Sequence, residues 1–373
     1  MRRVGKKFSS CANSWNESRQ VAFRWFEDCQ GGFMHRSKRT ASAFAGHLIL
    51  SCLFLVFSST VGAQSLDEIY KQALKEGGTF NFYGTLAQIN AEKILPVFEK
   101  RFPGIKVNHV DATADKLVAR AITEARGGRV IGDVFQGSLE DGLQLQQQGL
   151  LMERVLPEAA AYPDNLKGKD WIASNVIYFV GAWNTGLVRK EDEPKGFEDF
   201  ADPKWKGKLI AEPRDVEILI GLSKKYKSEE QAIALLKKIA ANNPEFHKGH
   251  SELAEFLVAG QAAACFTCYS HHFPLRIKKG APLNYFLSEG AAAVDSTTIL
   301  KGAPHPNTAL LFARWAASEE GQKAYAQGGR TPAHPKVEPV EKTRPDKSYF
   351  VGVADIKEWS KYEKIWKGIF NLR

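Results

Sequence analysis

The chain has 373 residues, 44% of them hydrophobic and 25% charged, and a formal net charge of +9. Nine of its 51 lysine and arginine residues, but only three of its 42 acidic residues, lie in residues 1–63, which leaves +3 for the rest. That small excess argues against a protein whose main partner is a nucleic acid or an acidic membrane surface.

The first 63 residues are typical of an export signal. Basic residues within 36–39 precede an apolar run at 45–57 (AGHLILSCLFLVF), and small residues follow it up to Ala63. This pattern predicts a secretory signal peptide that is cleaved after Ala63. The run is shorter than the ~20 residues of a membrane-spanning helix, so a signal anchor is the weaker alternative. Met34 stands where an ordinary signal peptide begins, and we expect it to be the true start.

Removal of this leader would leave residues 64–373, more than one average domain of ~100–200 residues. Only two cysteines, Cys265 and Cys268, remain in that part. Cys52 lacks the sequence context of a lipid-modified cysteine, so we expect a soluble protein of the periplasm.

The first part of the mature chain alternates strands and helices. The pattern predicts strands at 79–83, 105–110 and 133–136, and helices across 85–102, 112–125 and 138–148. The T-x-x-Q sequence at 85–88 predicts a capping box, and Pro96 predicts a restart or a kink in the first helix. Short links imply right-handed crossovers and a mostly parallel sheet, as in an α/β lobe.

A second α/β set follows a long apolar run at 176–184 (VIYFVGAWN), which predicts a buried strand crossing between two lobes. Further strands are predicted at 208–211, 262–269, 283–286 and 293–300, and helices at 216–226, 229–241 and 251–259. The segment at 301–327 predicts a turn and then a pair of packed helices.

Seven segments in this order closely resemble periplasmic solute-binding proteins of the iron(III) and polyamine type, the receptors of ABC importers. They are YGT at 83–85, GDVFQGS at 132–138, GLLMER at 149–154, YFVGAWNT at 178–185, DPKWKGKLI at 202–210, KKGAPLNYFLSEG at 278–290 and KGAPHPN at 301–307. The resemblance implies the α/β type 2 periplasmic binding fold, with two lobes, crossing hinge strands and a ligand cleft between the lobes. It places residues 64–179 and 297–373 in lobe I, and residues 180–296 in lobe II.

Loops and helix starts at the ends of parallel strands are where such a cleft presents residues to a ligand. The candidate ligand-binding residues are Tyr83, Gly84, Thr85, Gly137, Ser138, Asn184, Arg214, Ser251 and Tyr269. Arg214 would hold a carboxylate or phosphonate, or it is simply an exposed arginine. Thr85, Ser138 and Ser251 are equally well explained as helix caps.

The segment CFTCYSHH at 265–272 contains four potential metal ligands. Residues three apart in an extended strand are ~10 Å from each other, beyond the reach of a disulfide unless a turn intervenes at 266–267. We therefore expect buried thiols beside surface histidines. A metal site, with Tyr269, His271 and His272 as ligands, and a redox-active cysteine pair stay as alternatives.

Ferric-ion-binding members of the family carry two adjacent tyrosines at about this segment. Here Tyr269 matches the second, whereas Cys268 occupies the position of the first. The first-lobe positions of a histidine or an acid fall on residues 87–88 and 137–138, which are Ala, Gln, Gly and Ser. A complete ferric site is therefore missing.

The resulting prediction is a monomeric periplasmic receptor that closes around a small organic solute or anion and delivers it to an ABC permease in the inner membrane. The first alternative is a ferric-ion or metal-chelate receptor, and the second is a thiol oxidoreductase that uses Cys265 and Cys268. No hydrolase motif such as G-x-S-x-G is present. We expect neither a cofactor nor a nucleic-acid partner.

Overall fold

The computed structural model describes residues 64–373; the predicted signal peptide, its cleavage site and the alternative start at Met34 lie outside the described residues. The helices are α1 Leu66–Ala73, α2 Gln88–Arg101, α3 Ala114–Arg126, α4 Leu139–Gln147, α5 Val216–Tyr226, α6 Glu229–Ala240, α7 His250–Val258, α8 Pro274–Lys278, α9 Pro306–Ala317, α10 Glu319–Gln327, α11 Val353–Ile356 and α12 Trp359–Phe370. Across residues 64–373, no helix has both the length and the apolar character needed to cross a membrane.

The strands are β1 Thr79–Gly84, β2 Lys106–Asp111, β3 Val134–Ser138, β4 Ile172–Asn184, β5 Leu209–Ala211, β6 Glu245–Phe246, β7 Ala264–Tyr269, β8 Leu283–Tyr285, β9 Glu289–Ile299, β10 Thr331–Pro332 and β11 Lys347–Phe350. They form one sheet with the main order β2-β1-β3-β9-β4-β7-β5-β6. β1 runs parallel to β2 and β3, and β5 runs parallel to β6 and β7. Antiparallel pairs through β4 and β9 join these two groups. The predicted two-lobed α/β fold with crossing strands is confirmed.

The crossing strands are buried along their whole length. Their runs of Val, Ile, Ala and Phe suit a strand that is covered on both faces. Gly181 lies in the middle of β4, and a Cβ atom there would come within 2.5 Å of the Phe200 ring. The strand therefore needs glycine where the second lobe packs closely against it.

The predicted helix pair after residue 301 is confirmed as α9 and α10. Every residue of α9 from Thr308 to Ala317 is buried. The Phe312 ring lies 4.9 Å from Phe80 and 5.1 Å from Phe98, measured between centroids. These contacts fix α9 between β1 and α2 in the first lobe.

The predicted capping box at 85–88 is wrong. Helix α2 has Ala87 as its N-cap, with no hydrogen bond from a side chain to the cap. The Thr85 amide instead donates to the Gln136 carbonyl oxygen at 3.0 Å, so this residue continues the β1–β3 pairing. The helix also runs through Pro96 without interruption.

Near the end of the chain, β11 and α12 lie against elements of the predicted second lobe, whereas the short helix α11 contacts α4 of the first. Strand β11 pairs with the beginning of β9, and α12 packs on α5 and α6. The Trp366 indole nitrogen donates to the Pro213 carbonyl oxygen at 2.9 Å, and the Phe370 ring contacts Phe246. The division from sequence, which grouped residues 297–373 with lobe I, stays a prediction; within it, β11 and α12 contact elements that this division assigns to lobe II.

Candidate functional site

At the first lobe, the ends of β1 and β3 bring three of the sequence-predicted residues together. The Thr85 methyl group lies 3.5 Å from the position that a Cβ atom would take on Gly137. Ser138 is the N-cap of α4 and accepts a hydrogen bond from the Asp141 amide at 3.1 Å. Thr85, Gly137 and Ser138 thus form one corner, and the hydroxyl of Ser138 serves as a helix cap.

Tyr83 and Gly84 support this corner from behind. The Tyr83 hydroxyl donates to Glu124 Oε1 at 2.6 Å, and the Arg120 guanidinium lies 4.8 Å above its ring. Burial, together with that bond to Glu124, raises the pKa of Tyr83. The Gly84 carbonyl oxygen lies 3.1 Å from the His109 ring nitrogen. The structure therefore directs the Tyr83 side chain toward α3.

At the second lobe, Tyr269 lies at the end of β7 in a stack of rings. Its ring lies parallel to His250, with centroids 3.4 Å apart, and to His272 at 5.9 Å. Phe179 of the crossing strand meets it edge-on at 5.0 Å. Burial, and then the charge of Asp215, raises the pKa of Tyr269 well above its usual value. The phenol therefore remains protonated at neutral pH.

Beneath this stack, His250 Nε2 lies 3.0 Å from Asp215 Oδ2. Burial raises the pKa of Asp215 and lowers the pKa of His250 to about 4. Both shifts have the same cause, since removal from water disfavours either charge. The pair joins the start of α5 to the start of α7.

The β5–α5 junction connects the lobes. The Glu212 carboxylate is buried, and it accepts hydrogen bonds from the Arg214 amide at 2.6 Å and from Arg214 Nε at 3.2 Å. Arg214 Nη1 lies 3.8 Å from Asp115 Oδ1, at the start of α3 in the first lobe. Arg214 thus pairs with two carboxylates of the protein while its side chain stays about half exposed, and its role as an anion clamp stays a prediction.

Carboxylates dominate the space between these elements, which we call the cleft. Its acidic residues are Asp115, Glu140, Asp141, Glu212, Asp215, Glu217 and Asp295, and the basic groups that act on them include Arg214, Lys248 and Arg330. Burial, followed by the charge of Asp141, raises the pKa of Glu140 to about 8. Burial, followed by the charge of Asp215, also raises the pKa of Glu217. Both shifts favour the protonated form, so the carboxyls of Glu140 and Glu217 stay largely uncharged at neutral pH.

Two other sequence-predicted residues lie apart from the Thr85–Ser138 corner. Asn184 ends β4, where its Nδ2 donates to the Leu257 carbonyl oxygen at 2.7 Å and its Oδ1 accepts from the Gly186 amide at 2.8 Å. Ser251 is the second residue of α7, whose N-cap is Gly249. Ser251 is therefore not the cap that the sequence suggested.

The expectation of free thiols beside surface histidines is wrong. Cys265 and Cys268 form a disulfide, with Cα atoms 5.9 Å apart, because a bulge shortens this part of β7. Val180 pairs with Cys268 and Ala182 with Cys265, so two residues of β7 lie opposite Gly181 alone. Both histidines of the segment are buried.

The described residues contain no group of three or more His, Cys, Asp or Glu placed to hold a metal ion. Of the predicted metal ligands, His271 is already engaged, because its Nε2 lies 2.7 Å from Arg330 Nη1. Tyr269 and His272 are stacked ring on ring. A metal ion would therefore require these side chains to rearrange or to act with carboxylates from the other elements.

Sequence reasoning missed most of the acidic lining. Glu212 directly follows the apolar strand β5, and Asp295 interrupts the apolar strand β9. A charge within an apolar run is a usable signal, because charged residues are rarely buried without a role. Glu140 and Glu217 carry no such signal, because acidic residues are common in the first turn of any helix.

A family model described as bacterial extracellular solute-binding protein matches residues 93–350. The chain belongs to this family. The Fe(3+)-binding periplasmic protein of Serratia marcescens is 25% identical over 189 residues, which cover 46% of this chain and 56% of that relative. The match thus spans little more than half of that relative's length.

Solved structures match most of the chain. Iron-bound HitA from Pseudomonas aeruginosa aligns with a TM-score of 0.66 and 21% identity, over 78% of this chain and 99% of that one. AfuA from Actinobacillus pleuropneumoniae, with fructose-6-phosphate bound, aligns with a TM-score of 0.64 and 20% identity, over 79% and 99%. At this identity the likeness concerns the fold. Since one neighbour holds iron and the other a sugar phosphate, the fold alone does not choose the ligand.

Proposed function

We propose that this chain is the periplasmic receptor of an ABC importer for a small organic solute that carries a positive charge. It would close on the solute and deliver it to a permease in the inner membrane, as a monomer and without catalysing a reaction. The observation that supports this most is the acidic cleft. An organic cation between the lobes would stabilise the ionised form of Glu140 and Glu217, which form no ion pair within residues 64–373 and whose burial otherwise favours the protonated form.

The pKa directions support a positively charged solute over an anionic one. Glu140, on the first lobe, and Glu217, on the second, lie close enough for the charge of Glu140 to raise the pKa of Glu217. A bound cation would relieve that repulsion and favour ionisation of both. An anion would add to it, and Arg214 is already paired with Glu212 and Asp115.

Closure of the lobes would complete the site. The crossing strands form the hinge, and the contact between Arg214 and Asp115 spans the cleft. A ligand shifts such an equilibrium only if it binds the closed form more tightly. A solute that touches both Glu140 and Glu217 meets this condition, because these residues belong to different lobes.

The test is a thermal-shift panel of small amines, neutral solutes and carboxylates, with the exported protein at neutral pH. A cationic ligand at 100 times its Kd would add about 2.7 kcal/mol of stability, or roughly 4 °C in melting temperature. Glu217→Gln should weaken binding of that ligand about tenfold. Glu191→Gln, which removes an exposed carboxylate outside the cleft, should not. Stabilisation by anions alone would refute the proposal.

Ferric ion is the second candidate, because Tyr269 lies at the cleft near carboxylates and because the Serratia relative is named as an iron-binding protein. Phenolate and carboxylate oxygens suit this hard cation. Adding ferric citrate should then produce a visible phenolate-to-iron absorption band that disappears in Tyr269→Phe. A colourless protein that still binds amines would leave the organic cation as the ligand.

A further inference from the structure

Buried polar atoms without a partner are concentrated near the hinge. In the part of the chain that the structure describes, six buried side-chain atoms lack a hydrogen-bond partner, and three of these are indole nitrogens. The other three are Gln136 Nε2, Ser270 Oγ and Arg330 Nε. They lie in β3, directly after β7 and directly before β10, next to the crossing strands. Since buried polar groups nearly always have partners, this concentration requires an explanation.

Gln136 lies in β3, two residues before Ser138 at the end of that strand. In the β3–β9 ladder, Gln136 pairs with Thr297 and Ser138 pairs with Asp295. Residues two apart in a strand point to the same face, so Gln136 lies on the face of Ser138. Its Oε1 accepts from the Tyr325 hydroxyl and from Thr297 Oγ1 at 3.4 Å. This leaves its Nε2 as a free donor.

Arg330 supplies a second donor without a partner, its Nε–H, and it bonds to Asp295, the residue that pairs with Ser138. Its side chain is only 6% exposed, with Nη1 2.7 Å from His271 Nε2 and Nη2 donating to Asp295 Oδ2 at 2.7 Å. The Tyr325 hydroxyl, which donates to Gln136, is also close to this charge: burial raises the pKa of Tyr325, and the charge of Arg330 acts in the opposite direction. Arginine has no acceptor atom, so its Nε–H is satisfied only by an oxygen or another acceptor.

We infer that Gln136 and Arg330 form a donor subsite for a carboxylate of the ligand, which makes the solute a zwitterion. Its positive group would face Glu140 and Glu217, and its carboxylate would face the hinge. A guanidinium binds carboxylates through strong charge-assisted hydrogen bonds, which favours this group over a neutral oxygen. The inference rests on the proposed function, from which it takes the positive group.

The test compares a series of ω-amino carboxylates with the diamine and the monocarboxylate of equal chain length, by calorimetry on the exported protein. We expect an amino carboxylate to bind at least about tenfold more tightly than both matched compounds. Gln136→Glu keeps the acceptor for Tyr325 but replaces the Nε2 donor with a carboxylate oxygen. It should abolish this preference and leave diamine binding unchanged or tighter.

Arg330→Lys should also remove the preference, and circular dichroism must first show that this variant folds. Arg314→Lys is the matched control, because Arg314 is equally buried but pairs with Glu158 outside the cleft. Equal binding of diamines and amino carboxylates, or an unchanged preference in Gln136→Glu, would overturn the inference and leave the proposed function intact. If no probe with a positive charge binds, both are overturned.

Discussion

Replacing both Cys265 and Cys268 with alanine should lower stability by a small, calculable amount. The bridge closes a loop of only four residues, counted from its sequence separation of three. The chain-entropy relation then gives about 2 kcal/mol at 25 °C, at the low end for disulfides. Divided by the unfolding entropy of the roughly 310 described residues, this free energy corresponds to a decrease of about 3 °C in melting temperature.

The assay is differential scanning calorimetry of the oxidised protein, the reduced protein and the double variant. The reduced protein and the variant should melt at about the same temperature, and reductant should have no effect on the variant. In the reduced protein and in the variant, the free energy of solute binding should fall by more than the free energy of unfolding, because Tyr269 directly follows the bridge. Labelling of two thiols by iodoacetamide without reductant would refute the reasoning, and so would a variant that melts with the oxidised protein.

Three further changes test the packing and the charges. Trp366→Ala should cost about 3–5 kcal/mol because the ring is fully buried, and Trp366→Phe less than half of that, by urea unfolding. Glu140→Gln should raise the free energy of unfolding at pH 8 by on the order of 2 kcal/mol, and hardly change it at pH 4.5. The reason is the raised pKa of Glu140, about 8, because of which the wild-type protein loses stability as the pH rises from 4.5 to 8. Glu76→Gln should cost about 2–4 kcal/mol above pH 5 and less in acid. Burial alone would raise the pKa of Glu76, but the bonds from Asn307 and Thr308 at the start of α9 lower it, so this stability disappears as pH falls below 4.5. A flat pH profile in either case would contradict the assigned charges.

The elements of both lobes were predictable because their signals are local. Apolar residues spaced by four give α2, and alternating short runs between glycines and prolines give the strands of each parallel group. The crossing strand β4 was predicted from its unbroken apolar run, although it begins at Ile172, before the predicted start at 176. The helix pair α9–α10 followed from Pro306 and from its apolar face.

The features that were not predicted depend on contacts between residues that lie far apart in the chain. The bulge in β7 arises from pairing with Gly181 in β4, so no pattern within 264–269 reveals it. Helix α12 is amphipathic in sequence, but only its contacts with α5 and α6 tell which lobe it covers. The acidic lining comes from four separate segments, around residues 115, 140–141, 212–217 and 295, and only the fold brings them together.

The two ends of the described chain pack on different groups of elements. Helix α1 packs on α9, while α12 packs on α5 and α6. The proposed hinge closure would therefore change the separation between residues 64 and 373 without either of them touching the solute. A donor and an acceptor fluorophore attached at these ends would report capture through energy transfer. The chain could serve as an optical sensor and signal its own ligand in a metabolite extract before that ligand has been identified.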